Sequence, residues 1–399
     1  FGDRGVAAGG AQVSGELDAQ DPRGAARQLR DRQIRVITVA PKRESALKVG
    51  FRLGGGVKGK HVTVFSRQFS TMISAGLPLV QCLEALATQA ESKHFGEIIT
   101  KIADDVKGGT TLSDAMRKHP KVFNELYVNL VKVGETGGVL DTVLNRLSSY
   151  LEKAMALRRK VRMAMMYPAT VMIVAVVVVI FILTFVIPVF AGVYKKMGAE
   201  LPLPTQIVML LSDLILGWWY LVLAAMIGVV FLFRAYYKTE SGKLQVHRLL
   251  LRLPVLGPLV RKIAVARFTR TLGVLLGSGV PILDGLAITA KTAGNKVVEN
   301  AVLAARTSIT AGQTVAAPLK ESGVFPAMVI QMVSVGEQTG AMESMLSKVA
   351  DYYEEEVDTA VAGLTSLLEP VLIVFLGVVV GGIVISMYLP IFKLITVIK

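Results

Sequence analysis

A single cysteine, Cys82, stands among 399 residues, which excludes an intramolecular disulfide and a cysteine-based zinc cluster. Histidine is scarce as well. His61, His94, His119 and His247 are scattered, with no i,i+4 pair and no acid cluster beside them, so a metal enzyme is not expected. Charge is thin: Lys, Arg, Asp and Glu make up 19% of the chain, against about 25% in an ordinary soluble domain. No Ser/His/Asp set, no paired carboxylates inside the apolar segments and no redox ligand set can be found. Neither catalysis nor a cofactor is expected. No stretch near Phe1 has the apolar core of a signal peptide.

Apolar residues fill the gap. They are 52% of the chain, and mean hydropathy is +0.54. Three runs carry no charge: Ala169–Val193 (25 residues), Leu214–Phe233 (20 residues) and Pro370–Phe392 (23 residues). A spanning helix needs roughly 20 apolar residues, so each run is expected to cross a membrane. The formal net charge is +14, which suits nucleic acid or an anionic membrane face. Its placement decides. Lys153, Arg158, Arg159, Lys160 and Arg162 precede the first run, and Arg234, Lys238, Lys243, Arg248 and Arg252 follow the second. The loop between those runs holds only Lys195, Lys196 and Glu200. The positive-inside rule puts the basic stretches in the cytoplasm and the loop and Lys399 outside. Trp218 and Trp219 fit an aromatic belt near the outer interface. Anionic lipids are the expected partner of the charge, and nucleic acid is not.

The chain repeats itself. FSRQFSTMISAGLPL at 65–79 aligns with FTRTLGVLLGSGVPI at 268–282, and VGETGGVL at 133–140 aligns with VGEQTGAM at 335–342. Phe123 matches Phe325, Tyr167-Pro168 matches Glu369-Pro370, and Ile187-Pro188-Val189-Phe190 matches Leu389-Pro390-Ile391-Phe392. The repeated unit is a polar domain plus the span after it. Residues 207–233 are an unpaired span that returns the chain to the same side.

Each polar domain reads as a short-loop helical bundle. Gly76 and Pro78 in the first copy, and Gly279 and Pro281 in the second, mark helix–helix turns, with Gly ending one helix and Pro opening the next. Ser113 and Asp114 are expected to precede a short helix. Leu140, Leu144, Leu147 and Leu151 form one helical face, echoed by Met342, Leu346, Val349 and Tyr353, and both helices should run on into the membrane. Only Gln33–Val39 within residues 1–62 looks like a strand. Gly54–His61 nearly matches a phosphate-binding loop, but His61 stands where a Ser or Thr is needed. A flexible basic linker is expected there.

Several residues are candidates for partner contact or for structure. Gly134 and Glu135, with Gly336 and Glu337, form repeated loops. The expected role of each Glu is to accept backbone N–H bonds at the next helix start. The acidic run Asp351, Glu354, Glu355, Glu356 and Asp358 reads as a solvated face or as a site for a basic partner. Gly377 and Gly381 make a GxxxG pattern suited to packing against another span or another copy. Glu369 and Pro370 sit at the mouth of the third span, where acids are usually paired or functional. Pro188 and Pro390 should kink or end their helices.

The AGLPL/SGVPI turns, the VGETGG/VGEQTG loops, the Tyr-Pro and Glu-Pro pairs and LPLPTQ at 201–206 together resemble the type IV pilus assembly and type II secretion F-domain family. GELDAQ at 15–20 resembles that family's N-terminal segment. The resemblance implies a non-enzymatic platform in the bacterial inner membrane. Its implied partners are cytoplasmic hexameric assembly or retraction ATPases, pilins, other inner-membrane pilus components and further copies of itself. The SRQFSTMISAGLPLVQ and LPLPTQ segments look more like the pilus branch than the secretion branch. A transporter or channel subunit is the competing class, but the runs lack the polar residues it would need near the midplane. The expected fold is therefore all-α, with two duplicated cytoplasmic helical bundles and three transmembrane helices. The expected divisions are a basic segment at 1–62, bundles at 63–166 and 234–366, spans at 167–193, 207–233 and 367–392, a periplasmic loop at 194–206 and a periplasmic tail at 393–399.

Overall fold

The computed structural model describes residues 2–6, 12–16, 35–40, 56–196 and 203–397. The glycines at Gly9-Gly10 and Gly54-Gly55, residues 197–202 of the expected loop and the terminal Lys399 lie outside the described residues. The chain divides into Phe1–Lys58 and Gly59–Lys399.

The first unit holds three short strands, β1 (Gly2–Val6), β2 (Gln12–Glu16) and β3 (Arg35–Ala40). They form an antiparallel sheet in the order β2-β1-β3, with a register irregularity between Arg4 and Gly5. The alternating RVITVA of β3 signals its conformation. β1 and β2 carry no such signal, because their five residues hold two and one glycines and little β-branching.

The second unit is helical and built twice. The first copy runs α1 (Gly59–Ser74), α2 (Leu79–Thr88), α3 (Lys93–Lys107), α4 (Leu112–Arg117), α5 (Glu125–Thr136) and α6 (Leu140–Phe181). A π-helical turn (Ile182–Val186) joins α6 to α7 (Ile187–Lys196). The unpaired helix α8 (Leu203–Lys238) and the connector α9 (Glu240–Arg252) follow. The second copy runs α10 (Leu256–Gly277), α11 (Ile282–Thr292), α12 (Lys296–Thr310), α13 (Ala316–Glu321), α14 (Ala327–Thr339) and α15 (Met342–Val397).

Local chemistry sets these boundaries. Gly76 (φ 79°) and Gly279 (φ 86°) take the left-handed conformation that closes α1 and α10. Leu77 N–H then reaches back to the Met72 carbonyl and Val280 N–H to the Leu275 carbonyl. Pro78 and Pro281 follow at the caps of α2 and α11. The short helix α4 is capped by Thr111, whose hydroxyl accepts from Asp114 N–H. Ser113 and Asp114 thus lie inside that helix, two and three residues past the cap. In the first bundle Phe65, Phe69, Phe95, Phe123 and Tyr127 pack edge-to-face and stacked. The second bundle places Phe268 and Phe325 in the corresponding core.

Three helical segments are long and apolar enough to cross a membrane: Leu140–Phe190, Leu203–Lys238 and Met342–Leu389. The first and third begin inside the bundles, so bundle and span share one rod. α6 has 42 residues and α15 has 56, about 63 and 84 Å at 1.5 Å per residue. Pro168 lies within α6, and α15 continues past Pro390 to Val397, so that proline does not end its helix. α8 breaks its helical dihedrals at Trp218 (φ −126°, ψ 19°).

Candidate functional site

Three constructions tie the helices together. The first recurs in each copy at the Gly-Glu loop. Glu135 accepts from Leu112 N–H (2.7 Å), Ser113 N–H (3.2 Å) and the Ser113 hydroxyl (2.9 Å). Glu337 accepts from Val315 N–H (2.8 Å) and Ala316 N–H (3.3 Å). Each carboxylate therefore serves a helix start, but that of the short helix 21 to 23 residues upstream, not of the helix that follows. A negative charge there meets the free N–H groups of α4 or α13. The neighbouring glycines allow the crossing. A Cβ on Gly134 would stand 3.1 Å from Leu140 Cα, and one on Gly336 would stand 3.0 Å from Met342 Cα.

The second construction locks the rods. Arg67 grips Glu152 with two bonds (2.6 and 2.5 Å), and in the same register of the second copy Arg270 Nε donates to Glu354 (2.8 Å). The Arg67 guanidinium holds the Glu152 carboxyl below its ordinary range. These four residues occupy equivalent columns of the repeat, at offsets of 203 and 202 residues. Between the copies, Arg146 pairs with Glu343 (2.5 Å), Lys153 with Asp351 (3.0 Å), and Lys160 with Asp358. The three cations are spaced by seven residues along α6. Arg270 also reaches Asp351, and Lys262 pairs with Glu356 (2.7 Å). Burial works to raise the Asp351 carboxyl, but the Arg270 and Lys153 hydrogen bonds outweigh it and hold the group below its usual value.

Four of the five acids in the run at 351–358 thus face basic side chains of this same chain. Exposed pairs contribute about 0–1 kcal/mol each, so the ladder fixes register more than it supplies adhesion. Adhesion comes from the seam of Leu157, Leu259, Val357 and Val361, at about 1.5–3 kcal/mol per buried aliphatic side chain. Tyr150 donates to or accepts from Thr271 across the junction (3.2 Å), and burial pushes its phenol up. A cleft of about 270 Å³ opens beside the ladder, lined by Asn145, Arg146, Ser149, Arg270, Glu343 and Ser347 among others.

The third construction lies in the apolar region. The Ile187 N–H bonds back to the Ile182 carbonyl. The next residue, Pro188, has no N–H, so the Leu183 carbonyl is left without a helical donor. The hydroxyl of Ser212 in α8 donates to it (2.5 Å). Pro390 likewise has no N–H for the carbonyl of Ser386, four residues earlier, and Thr205 of α8 donates there (2.5 Å). Ser212 and Thr205 are buried. Around them Leu183, Ile187 and Ile383 pack with Val208, Met209 and Ile215. Backbone groups inside a bilayer must find partners within the protein, and here the unpaired helix supplies them to both copies.

The remaining candidates are not gathered into these constructions. Gly377 and Gly381 have open space where a Cβ would be, so no described span of this chain packs there. Glu369 and Pro370 are exposed, and Glu369 has no ion-pair partner among the described residues. No group of three or more His, Cys, Asp or Glu among the described residues is placed to hold a metal ion.

Residues 65–188 and 268–390 each match the family described as type II secretion system (T2SS), protein F. The chain belongs to the type II secretion system F protein family. Both matched stretches of this F-family chain open at the core phenylalanines Phe65 and Phe268 and close on Pro188 and Pro390. The type IV pilus assembly protein PilC of Myxococcus xanthus is 47% identical over 385 residues, covering 96% of this chain and 92% of its own length. The protein of the same name from Thermus thermophilus is 47% identical over 390 residues, covering 97% and 96%. The type II secretion system protein F of Pseudomonas aeruginosa is 32% identical over 388 residues, covering 96% of each. The duplication, the pilus and secretion resemblance and the membrane helices read from the sequence are all present.

Proposed function

We propose that this chain is the inner-membrane platform of a type IV pilus machine, passing motion from cytoplasmic hexameric assembly or retraction ATPases to pilins entering or leaving the fibre. The proposal includes the orientation read from the basic flanks, with both bundles cytoplasmic, and a role without chemistry of its own. The observation that carries it is the continuity of α6 and α15, which begin inside the bundles and extend through the apolar segments. A rod shared by bundle and span transmits tilt or rotation. The ion-pair ladder sets the two rods in register, so they move as one body.

Higher identity to the pilus relatives, 47% against 32% for a secretion relative, favours the pilus over the alternative of driving a secretion pseudopilus. Two glycines inserted after Leu151, or after Glu356, test the coupling. They rotate the helix phase by roughly 200° and cost about 1 kcal/mol each, while leaving the apolar segments intact. Membrane insertion should persist and fibre assembly should stop. Normal assembly would mean the rods are only tethers. Co-purification with a hexameric ATPase and pilins tests the partners, and reporters at Lys243 and after Lys399 should report opposite sides of the membrane.

A further inference from the structure

The turn between α9 and α10 is apolar where a soluble protein would be polar. Leu249, Leu253, Val255 and Leu256 are exposed, Leu249 to 63% and Val255 to 50%. Pro254 and Pro258 are exposed beside them. The turn is tightly built: Gly257 N–H bonds to the Leu253 carbonyl (2.8 Å), and a Cβ on Gly257 would fall 2.4 Å from the Leu251 carbonyl oxygen. These side chains are thus presented by a fixed corner.

Two features locate that corner. It lies one 13-residue helix beyond α8, and α9 folds back along the end of that apolar helix, with Tyr236 bonded to Gln245 and Tyr237 to His247. Independently, α10 runs antiparallel to α15. Gly273 lies against Leu346, Arg270 against Glu354 and Leu259 against Val361, with Leu364 in the same cluster. From Val361 to Pro370, where the uncharged run of α15 begins, is nine residues, about 13.5 Å. From Leu259 back to Leu256 is three residues in the same direction, about 4.5 Å, and the rest of the corner lies beyond. The exposed apolar side chains therefore stand within about two helical turns of the depth at which the spans begin. Charge agrees with that depth. Arg248, Arg252 and Arg261 flank the corner, and Arg159 and Arg162 stand on α6 just before its apolar run. All five are exposed, and none has an acidic partner among the described residues.

We propose that the α9–α10 corner is a membrane foot: its leucines and Val255 enter the headgroup boundary of the leaflet on the bundle side, and its arginines bind the phosphates of anionic phospholipids there. An amphipathic surface with leucine on one side and cations on the other binds such an interface by apolar burial plus attraction to anionic lipid. The foot anchors the second copy at a point separate from the spans, so that α10 pivots about the leaflet surface.

The test uses the full chain in phospholipid vesicles. Cys82 is buried, so an introduced thiol takes the label. An environment-sensitive fluorophore is placed at Leu253→Cys, and at Val139→Cys as the aqueous reference. Val139 is exposed and lies 29 residues before Pro168, about 43 Å along α6. With phosphatidylglycerol and phosphatidylcholine vesicles, the Leu253 label should be quenched by lipid-borne bromine and protected from aqueous iodide, and the Val139 label should show the reverse. Arg248→Gln with Arg252→Gln should reduce the preference for brominated phosphatidylglycerol over brominated phosphatidylcholine by about fivefold per charge removed. Iodide access at Leu253 equal to that at Val139 would overturn the foot. Protection from iodide without quenching by bromine would also overturn it, because a protein surface would then be the occupant. An unchanged lipid preference in the arginine variants would overturn the phosphate contact.

Discussion

The donation from Ser212 to the Leu183 carbonyl exists because Pro188 lacks an N–H, and that dependence can be measured. Replacing Ser212 with Ala leaves a carbonyl without a donor in a segment where Ser212 itself is only 2% exposed. A buried unsatisfied group costs about 1–3 kcal/mol in soluble proteins. Hydrogen bonds between membrane helices average about 0.6 kcal/mol and reach about 1.7. The dry site and the absence of any competing helical donor place this bond in the upper part of the membrane range, at about 1.5 kcal/mol. Pro188→Ala restores an amide to the turn, and with it a backbone donor for the carbonyl. In that background Ser212→Ala should cost only a few tenths of a kcal/mol. The coupling across the cycle should therefore be about 1 kcal/mol or more. SDS unfolding of the four proteins, followed by circular dichroism, reads the difference directly. Equal costs of Ser212→Ala in both backgrounds would refute the reasoning, since the hydroxyl would then be serving something other than the proline gap. Thr205→Val with Pro390→Ala forms the matching cycle in the second copy.

Gly134→Ala and Gly336→Ala should each destabilise by about 1–3 kcal/mol, because the added methyl meets the backbone of α6 or α15; thermal unfolding of the full chain in detergent checks this. Glu135→Ala should cost about 1–2 kcal/mol and should speed hydrogen exchange at Leu112 and Ser113, while exchange at Val315 and Ala316 stays unchanged until Glu337 is altered. Stability should fall as pH drops below the ordinary imidazole value of 6.5. His247 Nδ1 accepts from Lys296 N–H (2.8 Å), so Nε2 carries the hydrogen given to Tyr237 Oη (2.8 Å). Burial, then the Lys243 charge, depress its folded pKa against the opposing pull of Glu299. The native state thus binds fewer protons than the unfolded chain, and its advantage is present above the unfolded pKa and lost as pH falls through the folded one. A denaturation midpoint flat from pH 7 to 5, or an unchanged slope in His247→Gln, would contradict that assignment.

The parts of this architecture that depend on neighbours in sequence were legible. Gly76 and Pro78 mark a turn wherever the chain carries them, and a charge-free run of 20 or more residues marks a span without reference to anything else. The repeat was legible because copies share register over both bundle and span. What stayed hidden depends on contacts across long separations. The acids at 351–358 form a run in sequence, but Lys153 lies 198 residues from Asp351, and only the packing of α6 on α15 brings them together. Glu135 was expected at a helix start, and it is at one, but the direction of its reach was set by α5 crossing over α4. The strands β1 and β2 were missed because glycine in a five-residue strand leaves no pattern to detect.

Thr205 and Ser212 are seven residues apart, two turns of α8, and so lie on one face about 10.5 Å apart along its axis. The two proline gaps they serve are equivalent by duplication but are met at different heights on the same helix. Exact pseudo-symmetry between the copies is therefore broken within the membrane, even though the bundles share their Gly-Pro turns, the reach of Glu135 and Glu337 to a helix start, and the Arg67–Glu152 and Arg270–Glu354 pairs. A displacement of α8 along its own axis would shift both hydroxyls together, and the two copies would lose or keep their carbonyl donors as a pair. The odd helix is thus the common reference against which the two copies acquire distinct positions.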